Sequence, residues 1–269
     1  MITFPNGKIN LGLFVTGKRN DGYHDLISCF YPIAWCDALE IIESKSFKLS
    51  ISGTDIPGDA NNNLCKKAYD LLSGKFDIPP VHIHLHKVIP IGSGLGGGSS
   101  NGAFTLNMLN EFFQLGLTNN NLESYAAKLG SDCPFFVKSQ PAIATGTGTK
   151  LEALELNLSN YYVALIHPNI HISTADGYES VTYSQPGFDL KETLSQRPPS
   201  EWRDLLKNNF ESSVFKNHPE IERVKMKLYN EGAIYASMTG SGSIVYGIFE
   251  SEPDITAITG SNSVFVSKM

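Results

Sequence analysis

The sequence predicts an α+β protein of two domains, and three patterns support that prediction. Near the N-terminus, apolar and polar residues alternate with the two-residue period of strands. Further along, segments 64–72 and 103–113 carry apolar residues three and four positions apart, which is the spacing of a helix with one buried face. Beyond Lys150 the strand and helix patterns start again, so we predict domains at residues 1–150 and 151–269.

The first predicted strand fixes the position of two polar residues. Its apolar positions are Ile9, Leu11, Leu13 and Val15. Lys8 and Asn10 alternate with these positions and are therefore expected on the opposite face. A turn-rich segment follows at 17–22, and strand patterns recur at 26–33, 38–42 and 47–51, which predicts a β-rich N-terminal part.

Capping residues mark the predicted helix boundaries. Three asparagines, at positions 61, 62 and 63, precede the helix pattern at 64–72. A strand at 81–88 comes next, and a later helix is predicted to end at Gly130 in a left-handed cap. In the second domain we predict strands at 161–166, 233–237 and 244–249 and a helix at 219–230. The Gly/Ser turn at 239–243 is either a tight hairpin or part of a functional site.

The most informative segment is a glycine-rich loop between the strand at 81–88 and the helix at 103–113. Glycines lack the Cβ atoms that keep backbone N–H groups away from a polyanion, and a helix start adds unpaired amides and the positive end of a dipole. We therefore predict a phosphate-binding loop rather than a flexible surface loop. This glycine loop (residues 90–100) consists of Pro90, Ile91, Gly92, Ser93, Gly94, Leu95, Gly96, Gly97, Gly98, Ser99 and Ser100.

Three widespread nucleotide-binding loops do not fit this segment. The dinucleotide fingerprint needs an acid at the end of a second strand, but Glu111 and Glu123 lie in helical sequence. The Walker-type loop needs a lysine, and none lies between Pro90 and Phe104. The protein-kinase loop lies between two strands and accompanies His-Arg-Asp and Asp-Phe-Gly motifs, which this sequence lacks.

Composition excludes several further classes of function. The chain has 269 residues and a net charge of −6, so neither nucleic acid nor an anionic membrane is an expected partner. Its four cysteines show no Cys-x-x-Cys spacing, and the N-terminus does not resemble a secretory signal, so we expect reduced thiols and a cytoplasmic location. The oligomeric state does not follow from the sequence.

Five segments resemble the small-molecule kinases of the GHMP superfamily, in the order that the family has them. These segments are 4–11 (FPNGKINL), 19–24 (RNDGYH), 90–101, 130–136 (GSDCPFF) and 238–243 (MTGSGS). The Asp-Gly-Tyr-His motif resembles the one found in the branch of the family that acts on a cytidine diphosphate-linked methylerythritol, in the non-mevalonate route to isoprenoids. Phe4 and Ser93 depart from the family's usual residues, and residues 180–208 show no match.

The resemblance implies a two-domain GHMP kinase fold with its active site in the cleft between domains, and ATP-dependent phosphorylation of the acceptor's C2 hydroxyl. Asp132 would orient and deprotonate that hydroxyl, and Lys8 would stabilise the charge on the γ-phosphate. Mg²⁺ would bridge the β- and γ-phosphates, held mainly by nucleotide and water, and no protein ligand for it is predicted. In the acceptor site, Tyr23 and Tyr178 would stack on the cytosine, His24 would read its edge, and Asn10 and Thr174 would contact the methylerythritol phosphate.

Alternatives remain for several of these residues and for the function. Asp132 could cap a helix, Lys8 could be an exposed strand lysine, and Ser99 or Ser100 could contact the phosphates or cap the helix. The alternating His82, His84 and His86 are interpreted as a solvated strand face rather than a metal site, and Cys133 as a packed free thiol. The alternative functions are a GHMP kinase of the homoserine or mevalonate type, and a nucleotide-sensing module without catalysis.

Overall fold

The computed structural model describes residues 1–56, 58–173, 177–178, 181–259 and 262–269. By packing, the chain forms two compact units, each built from several segments. Unit 1 comprises Met1–Gly7, Trp35–Ile91 and Gly96–Gln140, and unit 2 comprises Lys8–Ala34, Gly92–Leu95 and Pro141–Met269. The predicted domain boundary near residue 150 stays a prediction.

Both units contain strands and α-helices, so the protein is α+β. The strands are β1 (Ile2–Thr3), β2 (Asn6–Lys18), β3 (His24–Cys36), β4 (Ala38–Glu43), β5 (Lys48–Gly53), β6 (Val81–Lys87), β7 (Ala142–Gly146), β8 (Lys150–Ala153), β9 (Tyr162–His167), β10 (Tyr235–Met238), β11 (Val245–Phe249) and β12 (Ser263–Lys268). The helices are α1 (Leu64–Ser73), α2 (Gly97–Phe112), α3 (Asn119–Ala126), α4 (Cys133–Lys138), α5 (Leu190–Gln196), α6 (Glu211–Asn217), α7 (Pro219–Asn230) and α8 (Thr256–Thr259), with short 3₁₀ turns at Ala60–Asn62 and Pro199–Glu201. Within the described residues, no helix is both long and apolar enough to cross a membrane.

Unit 1 contains a four-stranded sheet in the order β1-β4-β6-β5. β4 and β6 are antiparallel, whereas β5 and β6 are parallel because α1 lies between them in the chain. The predicted cap of α1 is confirmed at Asn63, whose side chain accepts a hydrogen bond of 2.9 Å from the Cys65 amide. α2 packs on α1 at Gly102, where a Cβ atom would lie 3.0 Å from the Cβ of Leu64.

One predicted helix end is wrong. α3 ends at Ala126 rather than at Gly130, and Gly130 does not have the positive φ of a left-handed cap. A capping box at the other end fixes where α3 begins, through the side chains of Thr118 and Asn121. Gly130 instead forms a tight turn, in which its carbonyl accepts a hydrogen bond of 3.2 Å from the Cys133 amide.

Unit 2 contains most of the sheet β2-β3-β7-β8 and the antiparallel sheet β10-β11-β9-β12. The helix predicted at 219–230 is confirmed as α7, whose apolar residues Ile221, Val224 and Leu228 pack in the core with Leu13 and Val15 of β2. β2 departs from the one-sided strand that its alternation predicts. Residues 7–15 are buried without interruption, so the polar face that carries Lys8 and Asn10 is covered as well.

Candidate active site

The glycine loop connects β6 to α2 and depends on glycine conformations. Gly92, Gly94 and Gly96 have φ angles of 63°, 83° and 69°, a region of backbone conformation that residues other than glycine rarely adopt. α2 begins at Gly97 without a side-chain cap, and its first helical hydrogen bond runs from the Ser100 amide to the Gly96 carbonyl over 2.9 Å. The amides of residues 97–99 therefore have no acceptor within the helix, which suits an anion at this end.

The second Gly/Ser turn packs directly on the glycine loop. A Cβ atom on Gly94 would overlap the carbonyl oxygen of Thr239, and one on Gly240 would lie 2.9 Å from the Cα of Gly94. The Thr239 hydroxyl also donates a hydrogen bond of 3.3 Å to the Gly94 carbonyl. This turn joins the antiparallel strands β10 and β11, so it is a hairpin and at the same time a support of the loop.

Lys8 is buried, with only 4% of its surface exposed, and contacts the glycine loop. Its backbone amide donates a hydrogen bond of 2.9 Å to the Leu95 carbonyl, and its ammonium lies 5.0 Å from the ring centre of Phe30. The Lys8 ammonium also donates a hydrogen bond of 2.6 Å to Asn10 Oδ1. The alternative of an exposed strand lysine is therefore wrong, because both faces of β2 are covered.

Asn10 holds the Lys8 ammonium through a network of protein groups. Its Oδ1 atom also accepts a hydrogen bond of 2.9 Å from the Gly240 amide, and its Nδ2 atom donates one of 2.8 Å to the Ser28 hydroxyl. The Tyr246 hydroxyl donates a hydrogen bond of 2.6 Å to the Asn10 carbonyl. This geometry indicates that Asn10 positions Lys8; its predicted contact with the acceptor stays a prediction.

Asp132 immediately precedes α4 and makes no side-chain capping hydrogen bond, so the alternative of a helix cap is wrong. A Cβ atom on Gly96 would lie 3.6 Å from Asp132 Oδ2, which places the carboxylate beside the glycine loop. The neighbouring Cys133 is buried, and burial raises the pKa of its thiol to about 12, against a hydrogen bond from Ser99 that lowers it. Cys133 is buried and forms no disulfide, so the predicted packed free thiol is confirmed. Such a thiol is not ionised near neutral pH.

A buried ionic cluster fixes both ends of the glycine loop, and the sequence analysis missed it. Asp37 Oδ1 accepts hydrogen bonds of 2.7 and 2.8 Å from the amides of Val88 and Ile89, where the loop begins. Asp37 Oδ2 pairs with the Lys87 ammonium and accepts a hydrogen bond of 2.8 Å from Asn101 Nδ2, in the first turns of α2. The Lys87 ammonium would lie 2.8 Å from a Cβ atom on Gly97.

Burial acts against the charge of Lys87 and lowers its pKa from the ordinary value, whereas the Asp37 carboxylate raises it. A sequence signal for this cluster existed. Val81, Ile83 and Leu85 are the buried positions of β6, and Lys87 continues the same two-residue series. A lysine on the buried face of a strand requires a partner, which the alternation alone could not name.

Three aromatic side chains of unit 2 meet where the cytosine-binding residues were predicted. The His24 ring stacks on Tyr178 with centroids 4.5 Å apart and planes 16° apart, and His24 Nε2 is 3.3 Å from the Tyr183 hydroxyl. Burial, with a smaller contribution from Lys18, lowers the pKa of His24. Tyr23 is 67% exposed.

The predicted acceptor site stays a prediction. His24 and Tyr178 are brought together, but the predicted Thr174 lies outside the described residues. Tyr183 was missed because it belongs to the segment without a family match. Its proximity to His24 joins residues 159 positions apart, which no local pattern reveals.

Ser99 and Ser100, both predicted at the loop, differ in exposure. Ser99 is partly exposed, and a hydrogen bond from its hydroxyl acts to lower the pKa of the Cys133 thiol. The Ser100 hydroxyl is fully buried and has no hydrogen-bond partner among the described residues. Ser99 is therefore the better placed of the two for a ligand in the loop.

The histidines of β6 occupy the sheet face opposite its buried residues. His82 Nε2 is 2.8 Å from the Ser50 hydroxyl, and the Ser52 hydroxyl is 2.9 Å from both His84 Nε2 and His86 Nδ1. Within the part of the chain that the structure describes, no three His, Cys, Asp or Glu side chains are grouped as a metal site requires. The three imidazoles thus pair with serines of the adjacent strand β5.

The family model for the GHMP kinases N terminal domain matches residues 63–140, and that for the GHMP kinases C terminal domain matches residues 190–261. The 4-diphosphocytidyl-2-C-methyl-D-erythritol kinase of Bacteroides thetaiotaomicron is 48% identical over 100% of this chain and 99% of its own length. The kinase of the same name from Cytophaga hutchinsonii is 48% identical over 94% of each chain, and that from Pelodictyon phaeoclathratiforme is 39% identical over 93% of this chain and 89% of its own length.

Solved structures show the same relationship. A crystal structure of 4-(cytidine 5'-diphospho)-2C-methyl-D-erythritol kinase covers 92% of this chain and 89% of its own, with 30% identity and a TM-score of 0.77. A mevalonate kinase covers 99% and 98% with a TM-score of 0.74 but only 14% identity, and so shows a common fold alone. The fold and the ATP-dependent kinase class predicted from the sequence are confirmed: the chain belongs to the 4-diphosphocytidyl-2-C-methyl-D-erythritol kinases of the GHMP kinase family.

Proposed function

We propose that this kinase transfers the γ-phosphoryl group of ATP to the 2-hydroxyl of 4-diphosphocytidyl-2-C-methyl-D-erythritol, in the non-mevalonate route to isoprenoid precursors. One observation carries the catalytic assignment. Lys8 donates its amide hydrogen to Leu95, and the Asp132 carboxylate lies beside Gly96, which is the next residue of the glycine loop. The Lys8 ammonium and the Asp132 carboxylate supply the cation and the base that phosphoryl transfer to an alcohol requires.

The glycine loop would hold the triphosphate. Backbone amides at Gly97 and Gly98 approach phosphate oxygens without interference from side chains, and the dipole of α2 favours negative charge there. The Lys8 ammonium, held by Asn10, would stabilise the charge that develops on the γ-phosphate. Because Asn10 is itself fixed by Gly240 and Ser28, the ammonium is preorganised rather than mobile.

Asp132 would act as the proton acceptor. The acceptor's 2-hydroxyl oxygen forms a bond to the γ-phosphorus while the bond to the β–γ bridging oxygen breaks and ADP leaves. The hydroxyl proton passes to the Asp132 carboxylate. The Asp132 carboxylate does not cap α4, and it lies beside Gly96 of the glycine loop.

Mg²⁺ would arrive with ATP, held by phosphate oxygens and water. Around the glycine loop, the described residues offer the Asp132 carboxylate rather than a cluster of acidic ligands. Its chemical contribution when bound is to neutralise charge on the β- and γ-phosphates.

The cytidine end of the acceptor would bind at His24 and Tyr178. A base stacked between Tyr23 and Tyr178 gains stacking energy, and polar groups of the His24 segment would discriminate cytosine from other bases. Thr174 would contact the methylerythritol phosphate. The exposure of Tyr23 supports this role, because a ring that is open to solvent can close on a base.

The experiment is a comparison of Asp132→Asn with wild type under saturating ATP and acceptor. We expect turnover to fall by ~10²–10⁴-fold, the range for loss of a positioned proton acceptor. Asp70→Asn is the matched control, because this half-exposed carboxylate of α1 pairs with Lys66, one turn away on the same helix. Folding is intact if both variants unfold at the same temperature as wild type. Near-normal turnover of Asp132→Asn would remove this residue from the mechanism.

A further inference from the structure

A histidine outside every predicted site lies directly on the glycine loop. A Cβ atom on Gly92 would lie 2.9 Å from Cε1 and 3.0 Å from Nδ1 of His171. The imidazole therefore occupies the space that a side chain at the start of the loop would fill. Both residues belong to unit 2.

The backbone on either side of His171 is held in place by the second Gly/Ser turn. The Ser243 hydroxyl donates a hydrogen bond to the Ile170 carbonyl, and Ile172 Cδ1 would lie 3.1 Å from a Cβ atom on Gly242. Ile172 is buried in the core, whereas His171 is exposed. The fold thus fixes the position of the His171 backbone and leaves its imidazole open to solvent beside the loop.

The His171 ring has unused hydrogen-bonding capacity. Neither of its nitrogens has a hydrogen-bond or ion-pair partner among the described residues, in contrast to His84, which is bonded to Ser52. A neutral imidazole carries one N–H donor and one acceptor, so an N–H group is available in either tautomer. An N–H donor without a protein partner, beside the first glycine of the loop that we propose to bind phosphate, fits a contact with that ligand.

The charge of the surroundings makes such a donor useful. The segment from Pro90 to Ala103 contains no lysine or arginine, and the whole chain has a net charge of −6. A polyphosphate in the loop is therefore bound by local dipoles and the few donors that adjacent segments supply. His171 is placed to be one of these donors at the Gly92 end of the loop.

We propose that His171 contacts a phosphate group of the bound substrates through an imidazole N–H. The proposal rests on the proposed function, because that function supplies two phosphate-bearing ligands, the triphosphate of ATP and the diphosphate of the cytidine acceptor. Both present the same chemistry, a charged phosphate oxygen. Hydrogen bonds to such oxygens are stronger than neutral ones.

The test compares three substitutions at His171. His171→Phe keeps a ring that packs on Gly92 but removes the donor, His171→Gln keeps an N–H donor, and His171→Ala removes both. His84→Phe is the control, since His84 lies on the solvated face of the β6 sheet. Because His171 is exposed, the variants should keep the unfolding temperature of wild type.

The measurements are the KM values of ATP and acceptor, and the Kd of a fluorescent methylanthraniloyl-ATP without acceptor. We expect His171→Phe to raise the KM of one phosphate substrate by roughly ten-fold or more, and His171→Gln to restore part of the loss. A rise for ATP together with weaker binding of the fluorescent nucleotide identifies the triphosphate. A rise for the acceptor alone identifies its diphosphate.

Two results separate this proposal from the proposed function. If wild type binds nucleotide but does not phosphorylate the cytidine acceptor, the proposed function fails, and the nucleotide Kd alone then decides the role of His171. If His171→Phe matches wild type in every binding and kinetic constant measured, His171 contacts no phosphate. An equal loss of affinity in His171→Phe and His171→Gln would also contradict the proposed hydrogen bond, because the shape of the side chain would then be sufficient to explain the effect.

Discussion

Removal of the Asp37 carboxylate should destabilise this protein more than any substitution on its surface. Asp37→Ala leaves the Lys87 ammonium, which is only 3% exposed, without its counter-charge. The same change deprives the amides of Val88 and Ile89 of their acceptor. Breaking a buried ion pair from one side destabilises by about 3–5 kcal/mol, because the remaining charge is uncompensated.

In a chain of this size, a loss of about 3–5 kcal/mol lowers the unfolding temperature by roughly 6–20 °C. The double variant Asp37→Ala/Lys87→Met provides the internal control, because it also removes the Lys87 ammonium that Asp37→Ala leaves without a counter-charge. We expect the double variant to unfold at a higher temperature than Asp37→Ala alone. We also expect Asp37→Ala to raise the KM of ATP more than that of the acceptor, since Val88 and Ile89 lead into the glycine loop.

The assay is thermal unfolding followed by circular dichroism, with ATP and acceptor kinetics measured well below the lowest transition. The reasoning is refuted if Asp37→Ala unfolds within about 3 °C of wild type, which corresponds to roughly 1 kcal/mol. It is also refuted if the double variant is no more stable than Asp37→Ala alone, because the uncompensated Lys87 charge would then not be the cause of the lost stability.

Three further changes test other parts of the account. Gly94→Ala should destabilise by about 1–3 kcal/mol and lower kcat/KM for ATP, because a Cβ atom would meet the Thr239 carbonyl at a φ of 83°; wild-type kinetics would show that the loop tolerates the contact. Tyr23→Ala should raise the KM of the acceptor and leave that of ATP nearly unchanged, and equal changes in both would contradict cytosine stacking. Burial raises the pKa of the Cys65 thiol from 9.0 to about 11. The contribution of this thiol to stability is therefore complete below pH 9 and is lost as the pH rises toward 11 and above. Cys65→Ala should flatten that decline in urea unfolding measured from pH 8 to pH 11, and an unchanged slope would exclude Cys65 as its source.

Local patterns were sufficient for several elements of the fold. The helix at 219–230 and the cap at Asn63 agree with the prediction, because apolar periodicity and capping are properties of adjacent residues. The glycine loop could also be inferred from its residues alone, because only glycine combines positive φ with close backbone approach. Lys8 and Asp132 came instead from resemblance to a family.

Contacts between distant parts of the chain could not be predicted. The pairing of Asp37 with Lys87 joins residues 50 positions apart, and the Asn10 network reaches Gly240 and Tyr246 more than 200 positions away. The Asn10 contacts cover the second face of β2, which the alternation predicted as polar and open. Periodicity indicates which face is apolar, but it cannot indicate that a polar face will also be covered.

The central claim is that this chain phosphorylates the 2-hydroxyl of 4-diphosphocytidyl-2-C-methyl-D-erythritol. The most direct measurement is ADP release in the presence of that acceptor, homoserine or mevalonate, combined with phosphorus NMR of the product. We predict ADP formation in step with loss of the cytidine acceptor, a new phosphate ester at its C2 position, and little release with the other two alcohols. Faster release with homoserine or mevalonate, or phosphate at another position of the cytidine acceptor, would contradict the claim.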